Sequence, residues 1–147
     1  MTDLRDLYQE IIFDHYRQPR NFRPLTGANR KAEGFNPLCG DRVTVYLKLE
    51  NGVIQDVSFE GSGCAISTAS ASLMTEHLKG RSEQEVETLF QTFHDLVTRD
   101  RAGAPELGKL EVLAGVRAFP ARVKCATLPW HTLHAALANE GGTVTTE

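Results

Sequence analysis

Three cysteines and one aspartate are the residues of this chain that are best suited to chemistry. Cys39 and Asp41 lie two residues apart, just before an alternating strand. Cys64 opens a helical stretch after Gly61-Ser62-Gly63, and Cys125 follows a basic segment before the last predicted helix. Three thiols and one carboxylate supply the four ligands that a tetrahedral zinc site needs. Thiolates are also nucleophiles, so the same side chains could take part in sulfur chemistry.

The predicted elements indicate how this set could assemble. A complete hairpin separates Cys39 from Cys64, and a hairpin brings its two ends together, so these thiols are expected to be neighbours. Cys125 must arrive from the distant helical half of the chain. On spacing alone, two interpretations stay open, which are one shared metal site and three separate thiols buried as small apolar side chains.

The predicted surroundings of two cysteines favour the thiolate form. Cys64 and Cys125 are each placed near the start of a helix, where free backbone N–H groups and the helix dipole stabilise negative charge. Arg122 and Lys124 add positive charge beside Cys125. Glycines at 40, 61 and 63 would allow the backbone to approach a bound ion closely.

Periodicity predicts an α+β fold in which a small antiparallel three-stranded sheet packs against several helices. Alternation from Val43 to Leu49 and the Asn51-Gly52 turn predict a hairpin, and Ser82 with Glu85 predicts a capping box. Thr127 is the expected cap of the last helix. The predicted strands are residues 31–35, 43–50 and 53–60, and the predicted helices are 4–17, 65–79, 82–98, 107–116 and one after 127, with a polar loop at 99–105 and a frayed tail from 141.

Composition narrows the class of protein. The 147 residues suit one domain, 1–147, and the formal net charge of −3 argues against nucleic-acid or membrane-surface partners. No apolar run reaches the length of a membrane span, and the first residues predict an amphipathic helix rather than a signal peptide. We therefore expect a cytoplasmic protein with reduced thiols.

The histidines are weaker candidates for ligands than the cysteines. His15 falls on the apolar stripe of the first helix, which predicts a packed core side chain. His131 and His134 are three residues apart on the last helix, but they flank its core stripe, so a partly solvated face is the simpler interpretation. His77 and His94 stand alone on helices and have the same interpretation.

The motifs together resemble a known family. Cys39-Gly40-Asp41 before a strand, Gly61-Ser62-Gly63-Cys64 opening a Ser/Ala-rich helix, and a distal Cys125 after a basic segment are similar to the IscU/NifU N-terminal proteins of iron–sulfur cluster assembly. The resemblance runs from residues 7–12 through the final helix. Two features resemble the SufU branch, namely an extra helical stretch within 93–112 and Lys124 where IscU-type scaffolds carry a histidine.

The resemblance implies a function and a set of roles. SufU-type proteins bind zinc and accept persulfide sulfur from a PLP-dependent cysteine desulfurase, passing it to a downstream iron–sulfur scaffold or apo-protein. Carried over by position, the zinc ligands are Cys39, Asp41, Cys64 and Cys125, and Cys39 receives the sulfur. Arg122 and Lys124 are auxiliary basic residues. The resemblance leans towards a zinc-dependent sulfurtransferase without deciding whether the protein is an enzyme.

The alternative function within the same family is a scaffold. IscU-type proteins assemble an iron–sulfur cluster on their cysteines and pass it to apo-proteins, so iron or a cluster is the alternative cofactor. Lys124 argues against this alternative, because a protonated ammonium group cannot act as a ligand for iron. A purely structural zinc site is a third possibility, which Asp41 disfavours as a harder and more labile ligand.

Overall fold

The chain folds into a small sheet covered by helices, as seen in a computed structural model that describes residues 4–99, 105–138 and 143–145, with side chains described from residue 9 to 99 and from 105 to 138. The α+β class is confirmed. The elements are α1 Leu4–Arg17, β1 Arg30–Asn36, β2 Asp41–Glu50, β3 Val53–Ser62, α2 Ala65–Leu78, α3 Glu83–Thr98, a 3₁₀ segment Pro105–Ala118, α4 Pro120–Leu137 and β4 Thr143–Thr145.

The sheet is built on the predicted hairpin. Strands β1, β2 and β3 are antiparallel neighbours, and Asn51 and Gly52 both have positive φ (54° and 74°), as a two-residue hairpin turn requires. A register shift between Lys48 and Leu49 lets Ile54 and Val57 both point into the core, where each is fully buried. Strict alternation along β3 from Val57 would place Ile54 on the opposite face of the sheet. The bulge changes the alternation and so brings Ile54 to the core face.

A fourth strand extends the predicted three-stranded sheet. Strand β4 pairs in parallel with β1, so the spatial order is β3-β2-β1-β4. The frayed tail expected from residue 141 is thus partly ordered as a strand, and the rest of it lies outside the described residues. Most of the predicted loop at 99–105 lies outside them too.

Helices α2 and α4 cover the face of the sheet that forms the core. Strand β1 approaches α4 so closely that a Cβ on Gly34 would clash with Thr132. Trp130 of α4 stacks on Phe93 of α3 with ring centroids 4.7 Å apart, and both are fully buried. His15 of α1 is also buried, with Nδ1 2.7 Å from Ser72 Oγ, so the prediction of a packed histidine is confirmed. None of the described helices combines the length and apolarity needed to cross a membrane.

Helix boundaries agree with the prediction at α3 and differ at α4. The capping box of Ser82 and Glu85 is present. Helix α4 begins at Pro120, so the prediction that Thr127 caps it is wrong, and Thr127 lies buried inside the helix. Proline at the first helical position has a backbone already suited to a helix and needs no N–H partner, which explains the earlier start.

The helix predicted at 107–116 is a longer 3₁₀ segment with a break. Gly108 has φ 54° and ψ −127°, which no right-handed helix contains, and it divides Pro105–Ala118 into two pieces. The apolar residues whose spacing predicted a helix still form the buried face of this segment, because Leu107, Leu110 and Leu113 are buried. Their spacing of three residues equals one turn of a 3₁₀ helix, so it brings all three to one face.

Several histidines have a pKa lowered by burial, which predicts that the free energy of unfolding falls in mild acid. Half-buried His131 packs against Phe90 and faces His94 and His134, and exposed Glu87 pairs with His134 at 3.1 Å. Burial first, and then the charges of the other two histidines, lower the pKa of His131. The unfolded chain, with a histidine pKa of about 6.5, binds protons more readily, so stability is present above that pH and is lost as the pH falls through it.

The measurement is urea unfolding at several pH values between about 7.5 and 5.5 around the unfolded histidine pKa. His131→Gln is expected to reduce the slope of the free energy of unfolding against pH, by at most about 1.4 kcal/mol per pH unit for one proton. The matched control, His134→Gln, removes an exposed imidazole from the same helix and should retain most of the slope. An unchanged slope in His131→Gln would contradict the assignment. Burial also lowers the pKa of His15 and of His77, so some slope is expected to persist.

Candidate metal centre

Three of the four predicted ligands converge where the sheet meets α4. Cys39 lies in the turn between β1 and β2, Asp41 is the first residue of β2, and Cys125 is the sixth residue of α4. One ligand atom from each lies within 4.8 Å of the others. The Sγ atoms of Cys39 and Cys125 are 3.5 Å apart, and both thiols are free. Two Zn–S bonds of about 2.3 Å at a tetrahedral angle would separate them by about 3.8 Å, so the spacing fits a zinc ion.

Cys64 lies at the edge of this group. It is the N-cap of α2, as predicted, and its Sγ accepts a hydrogen bond from the backbone N–H of Ser67 at 3.4 Å. Its own backbone N–H donates to Asp41 Oδ1 at 2.9 Å. The structure therefore connects Cys64 directly to Asp41, while its thiol lies outside the set of three converging atoms.

Cys125 occupies a different environment from the predicted one. It is fully buried and lies within α4 rather than before its first turn, so the expectation that a helix start favours its thiolate is wrong. Burial, followed by hydrogen bonding with Asp41, Cys39 and Cys64, raises the pKa of Cys125. In the metal-free chain this thiol keeps its proton, and binding of a cation would have to release that proton.

Asp41 is fully buried, and protein donors reach both of its carboxylate oxygens. Oδ1 accepts from Cys64, and Oδ2 accepts from the side-chain amide of Asn36 at 3.3 Å. A Cβ at Gly63 would lie 2.5 Å from Oδ1. The absence of a side chain at Gly63 thus makes room for this carboxylate, whereas the sequence suggested room for an ion.

Asn36 is the site residue that the sequence-based prediction missed. It is fully buried at the end of β1, directly opposite Asp41 in the strand pairing. Its Nδ2 lies 3.7 Å from Cys125 Sγ as well as within reach of Asp41, and its Oδ1 accepts from the backbone N–H of Leu38 at 3.2 Å. The signal that could have found it is a polar residue where the strand should turn inward, three positions before Cys39.

Comparisons with known proteins show the family of the chain. A family model described as the NifU-like N-terminal domain matches residues 7–138. The chain belongs to this family. The SufU protein of Bacillus subtilis, named as a zinc-dependent sulfurtransferase, is 40% identical over 142 residues, covering 96% of each chain. An IscU protein of Streptococcus pyogenes, named as an iron–sulfur cluster assembly scaffold, is 38% identical over 93% of this chain and 86% of its own.

Solved structures show the same NifU-like N-terminal fold. A protein from Fervidobacterium islandicum, described as a candidate iron–sulfur cluster assembly scaffold of the SUF system, superimposes with a TM-score of 0.82 at 36% identity. The match covers 87% of this chain and 94% of that one. The N-terminal part of a NifU-like protein from Brucella abortus has a TM-score of 0.83 at 23% identity over 93% and 96% of the two chains, which supports the fold alone. These findings confirm the resemblance to the SufU/IscU type.

The two basic residues of this NifU-like domain differ in their relation to the thiols. The exposed Arg122 has Nη1 3.9 Å from Cys125 Sγ, and hydrogen bonding with Cys125 together with the charge of Cys64 raises the pKa of Arg122. Lys124 is half-buried, and its ammonium group makes no hydrogen bond or ion pair within the described ranges. Arg122 is therefore the cation closer to the site.

The histidines do not form a second metal centre of this kind. Among the side chains described at residues 9–99 and 105–138, the cysteine–aspartate group is the one place where three ligand atoms of His, Cys, Asp or Glu lie within 4.8 Å of one another. His134 pairs with Glu87, and Nε2 of His77 lies 3.1 Å from the carbonyl oxygen of Glu106. The prediction that these side chains belong to partly solvated helix faces agrees with these contacts.

Proposed function

We propose that this protein is a zinc-dependent acceptor and carrier of persulfide sulfur in iron–sulfur cluster assembly. The observation that carries the proposal is the pairing of an exposed Cys39 thiol with the buried Cys125 thiol, 3.5 Å apart and beside the buried carboxylate of Asp41. An exposed thiol can reach a partner, while buried ligands can retain an ion. The similarity to the zinc-dependent SufU of Bacillus subtilis supports the same function.

The residues that would hold zinc are Cys39, Asp41, Cys64 and Cys125. Zinc has no redox chemistry, so it supplies charge that keeps thiolates deprotonated without oxidising them. Three thiols and one carboxylate suit its preference for four sulfur, nitrogen or oxygen ligands. Cys64 is connected to this set at the start of α2, because its backbone N–H donates to Asp41 Oδ1.

Cys39 is the residue expected to accept sulfur. Its thiolate attacks the terminal sulfur of a persulfide on the partner, and a new S–S bond forms on Cys39 as the partner's S–S bond breaks. The partner's cysteine leaves as a thiolate and takes up a proton, so no external oxidant or reductant is needed. Cys125 is too deeply buried to approach a second protein, and the Cys64 thiol caps a helix. Arg122 would stabilise negative charge at the thiols.

The partner that this chemistry requires is a PLP-dependent cysteine desulfurase, which generates such a persulfide. Two exposed apolar side chains lie beside the segments that carry Cys39 and Cys125 in the sequence. Leu38 is 64% accessible and precedes Cys39, and Phe119 is 63% accessible and precedes the first residue of α4. The acceptor of the sulfur is a downstream scaffold or apo-protein. A cytoplasmic location remains a prediction from the sequence.

A scaffold for a nascent iron–sulfur cluster is the second candidate function. The observation in its favour is that relatives of similar identity are named as scaffolds, including IscU of Thermotoga maritima at 40% over 89% of this chain. The same three thiols could hold iron. Lys124 argues against a scaffold because its protonated ammonium has no lone pair to donate.

One preparation assayed in two ways tests the proposal. The chain is loaded with zinc and, separately, with iron and sulfide. We expect the zinc form to contain one ion per chain and to raise the turnover of a cysteine desulfurase severalfold, because it removes persulfide from the enzyme. We expect the iron form to build no stable cluster by absorbance. Zinc-loaded protein without any effect, together with efficient cluster transfer from the iron form, would establish the scaffold function instead.

A further inference from the structure

A single buried amide connects three parts of the candidate metal centre. The Asn36 side chain is fully buried and uses both ends. Its Nδ2 donates to Asp41 Oδ2 at 3.3 Å and lies 3.7 Å from Cys125 Sγ. Its Oδ1 accepts from Leu38 N–H at 3.2 Å, and its backbone carbonyl accepts from Gly40 N–H at 2.8 Å. Rotating the amide by half a turn would put two acceptors together, so its orientation is determined by its partners.

These contacts span the turn that carries the exposed thiol. Leu38 and Gly40 flank Cys39, and the backbone N–H of each is bonded to Asn36. The same side chain touches a carboxylate at the start of β2 and a thiol of α4. Asn36 therefore relates the position of Cys39 to the positions of Asp41 and Cys125 through its side-chain amide and its backbone carbonyl.

Donors are distributed unequally over the three thiols. Cys125 has the Asn36 amide and the Arg122 guanidinium near its sulfur, and Cys64 accepts from a backbone N–H. Cys39 Sγ accepts from the Cys125 thiol at 3.5 Å, which is a weak donor. Cys39 is also the exposed thiol of the three and has neither the amide nor the guanidinium beside it, so this arrangement favours Cys39 as the sulfur that a partner can reach.

We propose that Asn36 is a positioning residue that holds Asp41 and Cys125 as ligands and fixes the turn that presents Cys39. The inference rests on the proposed zinc site and adds a residue to it that nothing in the resemblance singled out. Groups that orient ligands through hydrogen bonds commonly change metal affinity by about 10–100-fold when they are removed. The Asn36 amide is not itself a ligand, because its nitrogen donates to the side chains that are.

The chain offers a matched control in Asn29. This asparagine also uses both ends of its amide, donating to the Leu49 carbonyl at 2.7 Å and accepting from the Leu49 N–H at 2.8 Å. Its partners are backbone groups next to the far end of the hairpin. Asn29 is exposed whereas Asn36 is buried, so Asn29 controls for the loss of a strand-end amide hydrogen bond, and the check that all variants are folded controls for the cost of changing a buried side chain. An effect on the metal centre would appear in Asn36 alone.

The experiment compares zinc-loaded wild type with Asn36→Leu, which keeps the number and branching of the side-chain heavy atoms, and with Asn29→Ala. A second variant, Asn36→Ser, tests the same loss with a smaller polar side chain. Zinc release to a chelator is followed at a temperature where all variants are folded by circular dichroism. We expect both Asn36 variants to release zinc at least about 10-fold faster and Asn29→Ala to match wild type. Alkylation mapped by mass spectrometry should show Cys125 gaining reactivity relative to Cys39.

Cobalt gives a readout that does not depend on activity. In Co²⁺-substituted protein the thiolate-to-metal absorption should shift in the Asn36 variants, because Cys125 Sγ and the Asp41 carboxylate lose the contact with the Asn36 amide. Equal release rates and identical cobalt spectra in wild type and both Asn36 variants would overturn the inference and leave the zinc site standing. A wild-type chain that retains neither ion would overturn the proposed function, and the inference with it.

Discussion

Cys39→Ser is expected to abolish the stimulation of a cysteine desulfurase by this protein. Serine has nearly the same shape as cysteine, but its hydroxyl stays protonated near neutral pH and is a far poorer nucleophile towards sulfur. Cys39 is exposed, whereas the other two thiols are half-buried and buried. No second thiol is placed to replace it, so we expect the stimulated rate to fall to that of the desulfurase alone.

The measurement is desulfurase turnover with wild-type or variant protein in excess, together with mass spectrometry of the acceptor. Wild type should carry one additional sulfur on the peptide that contains Cys39, and the variant should carry none. Circular dichroism should show an unchanged fold, because the substituted side chain lies at the surface. Substantial stimulation by the variant, or persulfide on Cys64 or Cys125, would assign the acceptor role to another thiol.

Cys125→Ala is expected to remove most of the stabilisation that zinc provides. Cys125 is the proposed ligand from the C-terminal half, so a bound ion would join α4 to the turn that carries Cys39 and to Asp41 at the start of β2. At a free zinc concentration about 1,000 times the Kd, binding contributes about 4 kcal/mol. At about 2–4 °C for each kcal/mol in a chain of this size, the expected loss in Tm is about 10 °C.

A chelator separates the ligand role of Cys125 from its packing role. Without zinc, wild type and Cys125→Ala should unfold at similar temperatures, because alanine fits the space of a buried neutral thiol and leaves only a small void. The difference should therefore appear in zinc and shrink in chelator. A Tm difference of the same size under both conditions would show that Cys125 contributes packing alone. Zinc content by elemental analysis should fall in the variant as well.

Local signals predicted many of the elements correctly. Alternation from Val43 to Leu47, the Asn51-Gly52 turn and the Ser82–Glu85 capping box each depend on residues a few positions apart. Cys64 at the start of α2 was predicted in the same way, from the glycines before it. Such features are set by backbone preferences and short-range hydrogen bonds, which a sequence displays directly.

Features that depend on distant partners were predicted poorly. Helix α4 starts at Pro120, so Cys125 lies buried inside the helix and not at its terminus. Strand β4 pairs with the edge of β1, which is far away in the sequence. The bulge opposite Lys48 brought Ile54 into the core. Each outcome is decided by what the segment packs against, and periodicity within the segment does not contain that information.

The candidate centre shows the same division. The residue types of the candidate centre followed from the sequence, as did the expectation that a hairpin brings Cys64 close to Cys39. In the structure Cys64 contacts Asp41 through its backbone N–H, and its thiol lies outside the three converging atoms. Only the tertiary structure decided that Cys39 is exposed while Cys125 is buried, and that Asn36 bonds to Asp41. Burial and the direction of a side-chain amide depend on contacts between β1, β2 and α4. Those contacts join distant residues, such as Asn36 and Cys125, which are 89 positions apart, and only the folded chain brings them together.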